Sequence, residues 1–358
     1  MITLSIIVPF HQNLDFLTRC LAAITPLPPD WELIIAGDAP VNDCRQLAER
    51  SGARLLTLPG PKGPAVARNR AAEVARGDVL VFIDADVVAH KADLLRLVDI
   101  LRSQPETAGV FGAYDETPAD PGFVSQYKNL AHSFIHQGSG TVAHTFWAGF
   151  GAVRRAAFLA VGGFDERFPR PSVEDIDLGY RLTAAGYRLT LDAARRACHL
   201  KRWTLSSMIV SDIRDRGIPW TQIILRSGRF NNDLNLKTTY RACVVVSYLV
   251  LFALGLTVVD WRFVWAVPLL GAAIVLLCPD YYRYFYRQRG IWFVMRVVPL
   301  HYLYHLCNGL SFAVGTALYT STRWTGVQLP WALPLAPWHG VERQAAIVQC
   351  DTLPRLHA

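Results

Sequence analysis

In the first 83 residues, short apolar runs alternate with segments that have helical periodicity. A β-branched run covers 4–8, apolar residues recur at helical spacing over 14–24, and a second apolar run covers 33–36. Short β-branched runs predict strands, and an i, i+3, i+4 spacing predicts helices. This alternation predicts an α/β fold in which helices cover both faces of a mostly parallel sheet.

The next segment repeats the pattern and ends on two acidic residues. A loop rich in Gly and Pro (59–64) precedes a helical segment (66–75), and the apolar run 79–83 predicts a buried strand. Ligands of such sheets bind beyond the carboxyl ends of the strands. The residues that follow the three predicted strands are Pro9, Asp38 and the segment Asp84-Ala85-Asp86. We therefore expect a binding crevice where they meet.

The chain becomes strongly apolar after residue 241. Two uncharged stretches, 242–259 and 263–278, are separated by a short polar turn and predict a transmembrane helical hairpin. A third stretch, 291–320, is interrupted by three polar residues: Arg296, His301 and His305. The alternatives are a buried helix pair for the first two stretches and an interfacial position for the third.

Charge supports a membrane partner over nucleic acid. The formal net charge is +7, and many basic residues lie just before and between the apolar stretches. Such flanks are typical of the cytoplasmic ends of membrane helices, whereas no basic helix or aromatic platform for nucleic acid is evident. Three arginines in the predicted loop 281–289 place that loop on the cytoplasmic side. Seven scattered cysteines without a C-x-x-C pair predict neither a disulfide framework nor a zinc site.

These patterns predict three parts: a catalytic domain over 1–235, a membrane domain over 236–321 and a Pro-containing tail over 322–358. The N-terminus has no basic segment of the signal-peptide kind, so we expect the first domain to stay in the cytoplasm. The predicted location is the inner, cytoplasmic membrane, with several membrane crossings.

Two pairs of acidic residues have the chemistry of a catalytic site. Asp84 and Asp86 follow a buried strand, where one carboxylate can bind Mg²⁺ or Mn²⁺ and the other a ribose or a metal-bound water. Glu174 and Asp175 begin an amphipathic helix, and we favour Asp175 over Glu174 as a general base for an acceptor hydroxyl. The alternatives are a solvated turn for the first pair and helix capping for the second.

The residues resemble the family 2 glycosyltransferases, which have the Rossmann-like GT-A fold. The matching segments occur in the family's order over about the first 230 residues: Ser5-Ile6-Ile7-Val8-Pro9-Phe10, Gly63-Pro64-Ala65-Val66-Ala67-Arg68-Asn69, Val81-Phe82-Ile83-Asp84-Ala85-Asp86, Gly162-Gly163-Phe164-Asp165-Glu166 and Glu174-Asp175 followed by Arg181-Leu182. The resemblance implies a nucleoside-diphosphate sugar donor, a Mg²⁺ or Mn²⁺ ion on Asp86, and inversion with Asp175 as base. It also implies that Pro9, Asp38 and Arg68 surround the nucleotide.

A further segment departs from a family pattern. His199-Leu200-Lys201-Arg202-Trp203 resembles the Q-x-x-R-W motif of processive membrane synthases, with His in place of Gln. The resemblance implies that His199 completes the metal site and that Arg202 and Trp203 contact the donor. The alternative is a surface histidine beside a membrane-proximal Arg-Trp pair.

The expected function is transfer of a sugar, from a UDP-sugar, to a hydroxyl of a lipid or lipid-linked acceptor at the cytoplasmic membrane face. A polyprenyl-phosphate sugar synthase is one alternative, and its anionic acceptor would need no base. A processive synthase is less favoured, because it would need more membrane helices. A catalytically silent nucleotide-sugar sensor or membrane scaffold is the non-enzyme alternative.

Overall fold

The computed structural model describes residues 3–39, 44–168, 170–230, 232, 234–330 and 332–333. Their contacts form two compact units. The first comprises Met1–Gly112 and Thr141–Arg195, and the second comprises Ala113–Gly140 and Arg196–Leu333. Most of the predicted tail lies outside the described residues. The domain boundaries at residues 235 and 321 remain predictions, because contact density does not identify functional domains.

Nine strands form one sheet in the described part of the chain, in the order β3-β2-β1-β4-β8-β6-β9-β5, with β7 paired to β9. Their bounds are β1 Leu4–Phe10, β2 Trp31–Asp38, β3 Arg54–Leu58, β4 Val79–Ile83, β5 Val87–Ala89, β6 Thr107–Tyr114, β7 Val142–Ala143, β8 Phe150–Arg154 and β9 Arg188–His199. Strands β3, β2, β1 and β4 are parallel neighbours, whereas β8 is antiparallel to both β4 and β6. The sheet is therefore mixed, which corrects the prediction of a mostly parallel one.

The α-helices, in chain order, are α1 Leu14–Ile24, α2 Arg45–Arg50, α3 Pro64–Val74, α4 Lys91–Ser103, α5 Phe123–Gln137, α6 Arg155–Ala160, α7 Glu174–Ala184, α8 Leu205–Val210, α9 Ile218–Ser227, α10 Thr238–Leu256, α11 Ala266–Leu277, α12 Pro279–Arg289 and α13 Ile291–Thr325. Helix α5 and helices α8–α13 belong to the second unit. The predicted strands and helices of the first 83 residues are confirmed within one or two residues.

Pro9 is compatible with a central strand because of where β1 pairs. Strand β1 pairs with β4 only over Leu4–Ile7, while its pairing with β2 continues to Phe10. The missing N–H of Pro9 thus falls beyond the end of the β4 ladder, where no β4 hydrogen bond is lost. The side chain is partly exposed at the carboxyl end of the sheet.

The core of the first unit lies against the parallel strands. Phe82 on β4 packs on Phe158 and Phe164, with ring centroids 5.5 and 5.1 Å apart. All three rings are buried, and burying a side chain of this size contributes about 1.5–3 kcal/mol. This cluster holds the segment after α6 against the sheet.

Gly163 allows the segment after α6 to approach α3. Its φ is +68°, and a Cβ atom there would lie 2.6 Å from the Oδ1 atom of Asn69. Asn69 Nδ2 donates to the carbonyl oxygen of Phe164 at 2.8 Å, and Phe164 N donates to Asn69 Oδ1 at 2.9 Å. The side chain of Asn69 therefore completes a buried turn that requires glycine.

The second unit contains the apolar helices. Helices α10 and α11 form the predicted hairpin, with Cys243 Sγ near the start of α10 lying 3.6 Å from Cys278 Sγ just after α11. The segment predicted as a basic loop, 281–289, is part of helix α12. Pro279 suits the first turn of α12, because proline has no N–H to leave unpaired there. The prediction of a loop was therefore wrong.

One helix of the described residues, Thr238–Leu256, is long and apolar enough to cross a membrane. Trp261–Leu277 and Pro279–Arg289 qualify only as a pair, and they are bent by 80° at the break between them. Helix α13 is 35 residues long but contains Pro299 and buries His301 and His305. The structure thus gives one candidate span, or two with the bent pair, and does not support the predicted multi-pass arrangement.

The Gly163→Ala substitution should destabilise the chain more than Gly60→Ala. Both glycines have positive φ values, +68° and +71°, but no atom lies within 4 Å of a Cβ at Gly60. The clash with Asn69 should add about 1–3 kcal/mol, because buried backbone groups of Phe164 lose their partners. Equal shifts in the thermal midpoints of the two purified variants would contradict this account.

Candidate active site

Arg68 on α3 joins the two acidic segments of the first unit. Its Nη2 lies 2.6 Å from Asp84 Oδ1, and its Nη1 lies 2.8 Å from Glu174 Oε1. The Arg68 and Glu174 side chains are each 5% exposed, and that of Asp84 is 30% exposed. Buried charges require such partners, since an unpaired ion in the interior is strongly unfavourable. The end of β4 and the start of α7 are therefore fixed beside each other.

Asp175 occupies the N-terminal turn of α7 beside this ion-pair network. Its Oδ1 accepts from Ile176 N at 2.8 Å, and its Oδ2 accepts from Ala148 N at 3.2 Å. Loss of water around the carboxyl group, followed by repulsion from Glu174, raises the pKa of Asp175 to about 7. A carboxyl group with this pKa is suited to exchange protons near neutral pH.

Asp38 anchors the loop before α3. Its Oδ1 accepts from Lys62 N and its Oδ2 from Gly63 N, both at 2.7 Å, and the residue is 7% exposed. The carboxylate thus holds the backbone that leads into Pro64, the first residue of α3. Contacts of Asp38 and Pro9 with a nucleotide remain predictions.

The Asp84-Ala85-Asp86 segment turns between β4 and β5. Val87 N donates to the Asp84 carbonyl oxygen at 2.9 Å, and both aspartates remain partly exposed. The described residues contain no group of three or more His, Cys, Asp or Glu side chains that could hold a metal. Two partly exposed carboxylates still suit Mg²⁺ or Mn²⁺, which typically binds one or two carboxylates together with substrate phosphates. The residues present therefore fit a cation that arrives with a diphosphate.

The other three predicted site residues lie in the second unit. His199 is buried, with its Nδ1 2.7 Å from Asn129 Oδ1 and its ring stacked on Tyr114. Trp203 is also buried, whereas the Arg202 side chain is 79% exposed and lies 3.9 Å from Asp120 Oδ2. The roles of His199, Arg202 and Trp203 remain predictions.

The ion pair between Glu174 and Arg68 was not predicted from the sequence. Glu174 Oε2 accepts from Ser172 N at 2.8 Å while Oε1 binds Arg68, so this side chain has a fixed structural position. Arg68 and Glu174 are 106 positions apart, and no local pattern links them. The sequence signal for Arg68 is an arginine in a helix rich in alanine, and this helix is buried on most sides.

Comparison with known proteins identifies a family that resembles part of this chain. Residues 5–162 match the model of the family described as Glycosyl transferase family 2. This matched region contains β1–β4, Asp38, Arg68 and Asp84. The match ends before Glu174 and Asp175.

Curated relatives match a similar part of the chain. The pre-mycofactocin glycosyltransferase of Mycobacterium tuberculosis is 28% identical over 216 residues, covering 57% of this chain and 44% of that protein. The succinoglycan biosynthesis protein ExoA of Rhizobium meliloti is 31% identical over 202 residues, covering 51% and 59%. The chain therefore spans about half the length of these relatives.

A solved structure shares the fold. A mannosyltransferase from Pyrobaculum calidifontis, solved with GDP-Man and Mn²⁺, has a TM-score of 0.52 and 13% identity. The match covers 89% of this chain and 87% of that chain. It supports a Rossmann-like GT-A fold.

The Arg68→Met substitution should cost about 3–5 kcal/mol in the free energy of unfolding, because it leaves a buried carboxylate without its partner. Adding Glu174→Gln should recover part of this loss, since the uncompensated charge is removed. Arg76→Met is the control, because the Arg76 side chain is 84% exposed in its pair with Glu32, and it should cost less than about 1 kcal/mol. Chemical denaturation of the unmodified chain, these three variants and Glu174→Gln alone measures these differences, and strictly additive single effects would refute the coupling.

Asp175→Asn should stabilise the ligand-free chain at pH 8 but not at pH 4. The folded-state pKa of about 7 lies above the ordinary value of 3.8, so the folded chain retains a proton that the unfolded chain has released. Stability therefore falls as pH rises from about 4 to 7. Asparagine cannot ionise, so Tm at pH 8 should rise by roughly 2–4 °C for each kcal/mol recovered.

The control for this pH dependence is Asp99→Asn, which changes an exposed aspartate on α4. Its effect on Tm at pH 8 should be smaller than that of Asp175→Asn. A pH-independent difference for Asp175→Asn would show that the Asp175 carboxyl group titrates normally.

Proposed function

We propose that this chain is a family 2 glycosyltransferase that moves a sugar from a nucleoside-diphosphate sugar to a hydroxyl of a lipid or lipid-linked acceptor at the cytoplasmic membrane face. The family match over residues 5–162 and the names of the curated relatives support the transferase assignment. The donor is proposed to be a UDP-sugar, and the transfer is proposed to invert the anomeric carbon.

The observation that carries this proposal is the bridge from Asp84 through Arg68 to Glu174. It fixes the end of a buried strand beside the N-terminus of α7, which carries Asp175 as the next residue after Glu174. A transferase needs a site for the diphosphate and a base at a fixed separation, because both act on the same bound sugar. A binder that does not catalyse would need no base with a raised pKa.

Asp175 is the proposed base. As the acceptor oxygen bonds to the anomeric carbon, the Asp175 carboxylate takes the hydroxyl proton and the bond between that carbon and the diphosphate oxygen breaks. The pKa of about 7 leaves a large fraction of Asp175 ionised at neutral pH while keeping the carboxylate basic enough to accept the proton. Hydrogen bonds from Ala148 N and Ile176 N orient the two carboxylate oxygens.

Asp86 and Asp84 are the proposed ligands for Mg²⁺ or Mn²⁺. A bound divalent cation would neutralise charge on the diphosphate as it leaves. Asp84 also contacts Arg68, so this carboxylate is held by a permanent cation and keeps its position without the metal. Pro9 and Asp38 are proposed to border the nucleotide. His199, Arg202 and Trp203 are proposed to add a third metal ligand and donor contacts.

Helix α10 supports the membrane part of the proposal. It is the candidate span of the described residues, and several of its large apolar side chains are exposed, including Phe252 at 64% and Val245 at 61%. Exposed apolar side chains in this number are unfavourable in water and favourable in lipid. A catalytic domain held beside the bilayer would meet an acceptor that never leaves it.

The test uses the chain purified in detergent with Mn²⁺, with UDP- and GDP-sugars offered in turn and membrane lipid extract added or withheld. Nucleoside-diphosphate release should depend on the lipid and fall by about 10²–10⁴-fold in Asp175→Asn, as expected for loss of a general base. Asp86→Ala should also abolish release, and Asp99→Asn should retain it.

Two outcomes would replace the proposal. Full activity in Asp175→Asn would indicate an acceptor that is already an anion, as in a polyprenyl-phosphate sugar synthase. Donor binding without turnover under every condition would indicate a nucleotide-sugar sensor or membrane scaffold.

A further inference from the structure

The second unit contains a cavity of ≈ 370 Å³ that is lined by none of the residues proposed above for catalysis, metal binding or donor binding. Its wall is formed by α5, α9, α10, α13 and a π-helical segment, Ser211–Gly217. Most lining side chains are apolar or aromatic, among them Ile224, Phe230, Val245 and Phe312. The volume falls within the about 300–1,000 Å³ typical of small-molecule sites. The cavity can therefore hold part of a lipid chain.

Some lining side chains are also exposed on the surface of the unit. Val245 is 61% exposed, and Phe230 and Phe312 are each 45% exposed. Val245 lies on α10, the candidate membrane span. The apolar wall of the cavity therefore continues onto apolar outer surface at Val245 and Phe312, while Arg241 lies over the Phe230 ring at 4.8 Å.

The polar part of the cavity has an excess of positive charge. Lys128 and Asp212 are both buried and form an ion pair. Arg216 Nη1 lies 2.8 Å from His132 Nε2, and no carboxylate in the described part of the chain is within ion-pair distance of Arg216. Burial and the neighbouring cations Lys128 and Arg216 lower the pKa of His132, so its neutral ring accepts from Arg216. Arg216 is partly exposed, and its charge is available to an anionic group in the cavity.

Two further observations point to a ligand at this cavity. Asp212 and Arg216 lie on the π-helical segment, a rare conformation that is frequently found at functional sites. Trp220, on the next helix, also lines the cavity and is only 6% exposed, and its indole Nε1 has no hydrogen-bond partner. A buried N–H donor without a partner needs an acceptor, which a ligand oxygen or an ordered water supplies.

We infer that this cavity binds an anionic lipid, with the hydrocarbon chain along Ile224, Val245 and Phe312 and the phosphate group at Arg216. Arg216 matches phosphate well, because its planar guanidinium group can donate two parallel hydrogen bonds. A phosphate oxygen would also give the Trp220 N–H an acceptor. The identification of this lipid as the sugar acceptor rests on the proposed function, whereas the binding site itself does not.

The test measures binding to the full chain in uncharged dodecyl maltoside micelles by isothermal titration calorimetry. The probes are farnesyl phosphate, farnesol and inorganic phosphate. Farnesyl phosphate should bind at least about tenfold more tightly than either of the others, because it alone supplies both the chain and the charge. Equal affinity for farnesol, or for inorganic phosphate, would overturn the inference.

Three variants locate the site. Arg216→Gln should weaken farnesyl phosphate binding at least about tenfold and leave farnesol binding unchanged. Arg214→Gln is the matched control, since it removes a positive charge from the same π-helical segment but Arg214 pairs with Asp215 and does not line the cavity. Val245→Trp changes an exposed position that tolerates a larger side chain, and it should weaken both lipid probes. Unchanged binding in Arg216→Gln or in Val245→Trp would overturn the site.

The binding assay contains no sugar donor, so its result is independent of catalysis. Lipid binding without any transfer would preserve this inference and count against the proposed function. If transfer depends on lipid but Arg216→Gln leaves farnesyl phosphate binding unchanged, the proposed function would be supported and this inference would be overturned.

Discussion

The guanidinium group of Arg68 holds Asp84 and Glu174 together in a buried part of the first unit, and the polar site is arranged around this contact. The charges of Arg68 and Glu174, which are each 5% exposed, would be strongly unfavourable alone, so the positions of these two side chains are mutually determined. Asp175 is the next residue after Glu174, so the contact with Arg68 also fixes the position of Asp175 in the chain. Burial at this position removes water from the Asp175 carboxyl group, and Glu174 lies beside it. The position of Asp175 therefore also raises its pKa.

The local elements of the first unit could be predicted from the sequence, while the pairing of its strands could not. Leu4–Phe10 and Val79–Ile83 are short apolar runs that end at Pro9 or Asp84, and such runs have few alternatives to a buried strand. The antiparallel addition of Phe150–Arg154 beside Val79–Ile83 depends on contacts between segments about 70 positions apart. For the same reason the sequence indicated Arg68 and Glu174 as separate site residues but not as partners.

In the apolar half of the chain, hydropathy alone does not predict which segments are candidate membrane spans. The stretch 291–320 has the length of a span, but helix α13 contains Pro299 and buries two histidines. The segment 281–289 carries three arginines and was predicted as a loop. It is helical because Pro279 suits a first turn and because tyrosine and phenylalanine rings of α12 pack in the second unit's core. Composition averaged over a window cannot distinguish a side chain facing lipid from one facing another helix.

Helix α3 connects three parts of the first unit within seven residues. Its N-cap Gly63 is held by Asp38, its second turn carries Asn69, which closes the Gly163 turn, and Arg68 reaches both acidic segments. Adding one residue between Gly63 and Arg68 would rotate everything after it by about 100° around the helix axis, since a turn contains 3.6 residues. All of these contacts would then be lost at once. Relatives that keep this site are therefore expected to vary in length in their loops, and not between the two ends of this short helical segment.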